Sequence, residues 1–162
     1  MTARPVVAGW AADAAPEDFQ DPRPSDIRGQ VDFDVLVGKV PRAAFVALGR
    51  LVIACDDKVY AVAHEQDCCE SVALVDVCGD PESLVGRPIL FAESVKKRGC
   101  ADNREFCPFE VSMDACDESW TWQFVKIGND LETLTVQFQG TSNGYYNESA
   151  ALYELETPWR PS

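Results

Sequence analysis

An antiparallel, mainly β fold with only minor helical content is what this sequence predicts, and three observations predict it. Apolar and polar residues alternate over several short runs, turn-forming residues separate those runs, and two patterns recur within the chain. With 162 residues, 46% of them hydrophobic, the chain suits one packed core.

Taken in order, residues 1–26 read as a mobile, Pro-rich leader carrying Pro5, Pro16, Pro22 and Pro24. The mildly apolar stretch within it, Val6–Ala15, is broken by Asp13 and has no basic flank beyond Arg4, so it is not read as a signal peptide. A single domain is expected over 27–157, with 158–162 as a tail. Acidic residues lead into Leu36-Val37-Gly38-Lys39, which suits a short helical turn stopped by a left-handed Gly38. Lys39–Leu48 reads as a strand, with Pro41 holding it to an edge or pushing its start beyond the proline. Leu51–Cys55 and Val59–His64 flank Asp56-Asp57-Lys58 as a hairpin, and Val72–Val77 is the next strand. A second helical turn ends at Gly86, and Pro88–Val95 follows under the same proline constraint. Trp120–Val125 and Leu131–Gln139 form a hairpin about Gly128-Asn129-Asp130. In its first arm Trp120, Trp122 and Phe124 share one face, expected in the core, opposite Thr121 and Gln123. In its second arm Leu134, Val136 and Phe138 face the core. Ala150–Glu156 is the last strand.

Two repeats group these elements. Leu36-Val37-Gly38-Lys39 returns as Leu84-Val85-Gly86-Arg87, and Glu70-Ser71-Val72-Ala73-Leu74 returns as Glu148-Ser149-Ala150-Ala151-Leu152. The expected organisation is two duplicated four-stranded units, about 34–78 and 82–156, with a Cys-bearing insertion at about 96–118. Neither unit alone buries enough apolar area, so they should pack about a pseudo-two-fold as a sandwich or barrel.

Composition limits the function. Lys plus Arg number 14 against 27 Asp plus Glu, a net charge of −13, which disfavours direct binding to a nucleic-acid backbone. No run of 18 apolar residues is present to cross a bilayer as a helix. Seven cysteines, an odd number in a chain without an export signal, read as thiols or metal ligands, and the cytoplasm is the expected compartment.

The repeat makes two dense polar loops equivalent, His64–Ser71 and Gly140–Ser149. Their segments HEQDCCESV and GTSNGYYNESAALYEL, with DPESLVGRPIL between them, resemble the signatures of a small family of uncharacterised proteins found largely in bacteriophages and bacterial genomes. The resemblance covers roughly Leu36–Leu155; the insertion Gly99–Cys116 and the Pro-rich leader depart from the common pattern. It implies a phage or prophage accessory protein and brings no established activity with it.

Within those loops His64, Asp67, Glu70, Asn143 and Tyr145 are the candidate binding residues, forming either a shared patch or a mutually bonded structural lock. His64, Cys68 and Cys69, joined by Cys100, Cys107 and Cys116, are metal-competent, yet their spacings match no usual zinc pattern. Adjacent cysteines in a strand also face opposite ways, so the expectation is no cofactor, with zinc as the alternative. Tyr145 and Tyr146 could stack on a base or sugar or anchor the core. Gly140 and Gly144 are expected to permit positive φ in a tight turn. His64 is the single histidine, and no catalytic spacing surrounds it. The sequence therefore favours a non-enzymatic acidic interaction protein, phage-encoded, that binds and inhibits a host protein with a basic surface, such as a nucleic-acid-binding defence or replication factor. The alternative is a small-molecule or zinc-binding domain built on the two loops. Oligomeric state is not legible.

Overall fold

The computed structural model describes residues 27–47, 49–56, 58–100 and 119–155. Among the described residues nine strands and two 3-10 turns follow one another: β1 (Ile27–Val31), a turn at Phe33–Leu36, β2 (Ala43–Ala47), β3 (Arg50–Ala54), β4 (Val59–Ala63), β5 (Glu70–Cys78), a turn at Pro81–Leu84, β6 (Phe91–Cys100), β7 (Ser119–Gly128), β8 (Thr133–Ser142) and β9 (Ala151–Leu155). They form two open antiparallel sheets, ordered β1-β9-β4-β3-β2 and β5-β8-β7-β6, and neither closes into a barrel. Among the described residues no helix is long and apolar enough to cross a membrane.

The two sheets share one core. Val46, Leu51, Ile53, Val62 and Leu152 come from the five-stranded sheet, while Val77, Val125, Ile127, Leu134, Val136 and Phe138 come from the four-stranded one. Leu36 and Leu84 of the two turns seal it, each fully buried. On the five-stranded sheet the opposite face is buried as well, over Phe45, Val52, Val59, Ala61, Ala151, Tyr153 and Leu155. Burial on both faces explains why β3 and β4 read as continuous apolar runs rather than alternating ones.

Each half runs turn, strand, strand, strand, strand, and the two halves are interlocked. The three-stranded meander β2-β3-β4 is completed by β9, and the meander β6-β7-β8 is completed by β5. In this respect the structure differs from two self-contained units: each half's fourth strand crosses to the other half's sheet. The equivalence extends to single hydrogen bonds. Val35 N donates to Asp32 O and Ser83 N to Asp80 O; Gly38 N donates to Ile89 O and Gly86 N to Pro41 O. Gly38 and Gly86 hold φ of 86° and 83°, left-handed values that a side chain resists.

Three elements depart from the sequence expectation. β1 was assigned to no strand, because Ile27–Val31 has few apolar residues and Gly29 sits at a register shift against β9. Pro41 and Pro88 do push the strand starts beyond them, to Ala43 and Phe91. β6 continues through Lys96–Cys100, paired with Ser119–Gln123, so the first residues assigned to the insertion belong to a strand. The leader, the tail and the middle of the insertion lie outside the described residues.

In β7 the faces are reversed relative to expectation beyond Trp120. Thr121, Gln123, Val125 and Ile127 are buried, and Trp122 and Phe124 are half-buried, with their rings 4.9 Å apart. The reason is Gln123, which is fully buried and bridges layers. Its amide donates to Ser94 Oγ and Ala150 O, and its carbonyl accepts from Ala150 N. A polar side chain with both ends satisfied can occupy a core position.

Candidate functional site

The two polar loops meet at one end of the sandwich, where β4 leads into residues 64–69 and β8 leads into residues 143–150. Register places them together: Glu70, at the start of β5, lies opposite Ser142, at the end of β8. His64 Nδ1 reaches Ser149 O at 3.1 Å, tying the first loop to the second.

Each loop is built around one buried glutamate. The Glu70 carboxylate accepts from the backbone N–H groups of Asp67 and Cys68 and from His64 Nε2. Burial alone would raise the Glu70 carboxyl, but those two amides and then the His64 ring outweigh it and hold its pKa below the ordinary 4.5. Because a carbonyl and a carboxylate both only accept, His64 makes both of its bonds at once only as the imidazolium. Gln66 adds donation from Nε2 to Glu70 O at 2.6 Å. In the second loop Glu148 accepts from Ser142 Oγ, Ser119 Oγ and, at 2.9 Å, Thr121 Oγ1. Arg98 Nε stands 3.8 Å away. The arrangements correspond at one partner, since His64 bonds the glutamate six positions on and so does Ser142. Gly140 is required here by contact: a Cβ on it would lie 1.9 Å from Glu148 O. Its expected positive φ is not observed, whereas Gly144 does adopt φ of 87°.

The candidate residues therefore divide. His64 and Glu70 point inward and are consumed by the scaffold, their side chains only 7% and 0% exposed. Asp67 gives its amide to Glu70 and leaves its side chain outside. Asn143 Oδ1 accepts from Tyr145 N in a local turn, and the Tyr145 side chain projects into solvent, 90% exposed. Tyr146 packs edge-on to Tyr145, 6.2 Å between ring centres. The Cys68 thiol bonded to the Tyr146 phenol, with added negative charge from Cys69 and Asp67, pushes that phenol above its ordinary 10.0.

The candidate binding residues leave out Glu148, Ser119, Thr121 and Ser142; the match of Glu148 with Glu70 in the repeat is the signal that could have found them. Two further groups border the loops. Lys96 and Arg98 of β6 line a cleft of about 200 Å³ with Thr121, Tyr146, Asn147, Glu148 and Ser149, but Lys96 donates to Ser149 Oγ and Arg98 to Gly144 O. Both cations are spent on the second loop.

For zinc, the His64, Cys68 and Cys69 set fits poorly. Both His64 nitrogens are engaged, and among the described residues no group of three His, Cys, Asp or Glu could hold a metal ion. Cys107 and Cys116 lie outside the described residues, as does the side chain of Cys100. The Ser119, Thr121 and Ser142 hydroxyls that bond Glu148 are buried.

A family model described as Domain of unknown function (DUF7448) matches residues 34–152, which takes in both loops, the second helical turn and all of the first but Phe33. No curated protein matches the chain, and no solved structure matches it.

Proposed function

The chain belongs to the DUF7448 family, and on that premise we propose that it is a non-enzymatic, acidic interaction protein that docks on a basic surface of another protein. The observation that carries this reading is Tyr145, 90% exposed at the crest of a loop whose base is fixed by buried Glu148. Exposed Glu65 and Asp67 stand on the adjoining loop. A large, rigid, amphipathic ring beside carboxylates is the chemistry that anchors Arg- and Lys-rich partners. The net charge of −13 adds long-range steering toward such a surface. As a phage accessory protein, the role to which the family resemblance points, its target is a host protein that itself binds nucleic acid, inhibited by occupation of the basic site.

Capture from host extract on the immobilised full chain tests this. One protein is expected to bind, to elute with salt, and to be lost with Tyr145→Ala and with Asp67→Lys, both variants melting as the wild type does. Capture that survives both substitutions, or that salt leaves unchanged, overturns the reading.

A further inference from the structure

The first loop carries a pair of thiols on adjacent residues. Cys68 and Cys69 are both exposed, and their Sγ atoms lie 3.0 Å apart. In an extended strand neighbouring side chains diverge, so this closeness needs a turn. The turn is supplied by the Glu70 carboxylate, which draws in the amides of Asp67 and Cys68, and by Gln66 Nε2, which donates to the carbonyls of Cys68 and Glu70. The pair is thus held together by the buried Glu70 carboxylate and by Gln66, while both cysteines are exposed.

We propose that Cys68 and Cys69 form a redox modification site, closed to a vicinal disulfide by low-molecular-weight disulfides and reopened by the corresponding thiols. One cysteine thiolate attacks a sulfur of the small disulfide RSSR, forming a mixed disulfide and releasing RS⁻, which takes the proton the cysteine lost. The second thiolate then attacks the protein-side sulfur of that bond, forming the Cys68–Cys69 disulfide and releasing a second RS⁻, protonated in the same way. Two cysteine thiols are oxidised by two electrons, and RSSR is reduced to two RSH. Because the second thiol is already at van der Waals contact or closer, the closing step is intramolecular and outruns exchange with a second small thiol. A disulfide between adjacent residues is strained, which makes it easily reduced and suits a reversible modification rather than a structural bond.

The test uses the full chain with all seven cysteines. It is incubated with glutathione disulfide, quenched with a thiol alkylator, digested and mapped by mass spectrometry. The expected product is a peptide holding Cys68 and Cys69 that carries neither alkyl group nor glutathione and lacks two hydrogens, lost again on adding reduced glutathione. In Cys68→Ser the expected product stops at glutathione on Cys69, with a complete loss of the closed peptide and a wild-type melting temperature. The inference is overturned if both residues of the wild type remain alkylatable, if glutathione persists on either, or if either pairs with a different cysteine. These outcomes are independent of whether Tyr145 docks a partner.

Discussion

At the scale of the residue, the two buried glutamates explain why these loops have fixed shapes. Glu70 is ionised against burial because amides and a histidine point at it, and that preference has a sign. A carboxyl whose folded pKa lies below its unfolded value contributes stability that is complete above the unfolded value and is lost as pH falls through the folded one. The melting temperature should therefore decline on acidification from roughly pH 5 downward. Glu70→Gln should make that acid limb shallower while costing about 1–3 kcal/mol at neutral pH, since it leaves buried amides poorly paired. Melting curves recorded across that range for both proteins check it; parallel curves would mean Glu70 is not the responsible group. Gly140 gives a second prediction. With Glu148 O occupying the space a Cβ needs, Gly140→Ala must move backbone, at about 1–3 kcal/mol, whereas alanine at Gly29, where nothing stands within 4 Å, should be tolerated.

At the scale of the element, what was legible followed from what each strand faces. β8 was read correctly because Leu134, Val136 and Phe138 are buried and Thr135 and Gln137 are not, so period two survives into the structure. β7 was misread because a buried glutamine counts as polar in a pattern, while Trp122 and Phe124 count as core wherever they stand. β1 was missed because two apolar residues and a glycine carry no periodic signal, and its place at the sheet edge beside β9 is a tertiary fact. The loops were legible as sites of polar density and not as a division into inward and outward groups, because that division depends on the pairing of β5 with β8. Gln123 connects these points. Its amide satisfies both backbone groups of Ala150, fixing where β9 leaves the second loop for the other sheet. Gln123→Leu, similar in volume and better suited to an apolar core by pattern alone, should destabilise by about 1–3 kcal/mol because it orphans those groups. Denaturant unfolding with an unchanged slope would report this; a neutral or stabilising result would show that Ala150 is satisfied without the bridge.

At the scale of the whole molecule, the exchange of fourth strands sets how the chain can fold. β4 and β8 are each one strand short of completing a sheet within their own half, and the strands that cover them, β9 and β5, come from the other half. Each helical turn likewise bonds across, Gly38 to Ile89 and Gly86 to Pro41. The core between the sheets draws on both halves throughout, so burial of apolar area, the main favourable contribution to folding, is available only when both are present. Unfolding should therefore be a single cooperative transition, with near- and far-ultraviolet probes coinciding. A fragment ending at Gly79 carries one meander and one crossing strand. It has no sheet of its own for β5, so it should either remain unfolded or pair with a second copy that supplies the missing strand. Mixing it with the fragment beginning at Asp80 should restore native circular dichroism in a one-to-one complex. Sedimentation of the first fragment alone decides the matter: a folded monomer would mean that β5 can turn back onto β4, and that the interlock is a consequence of joining two halves rather than a condition of their folding.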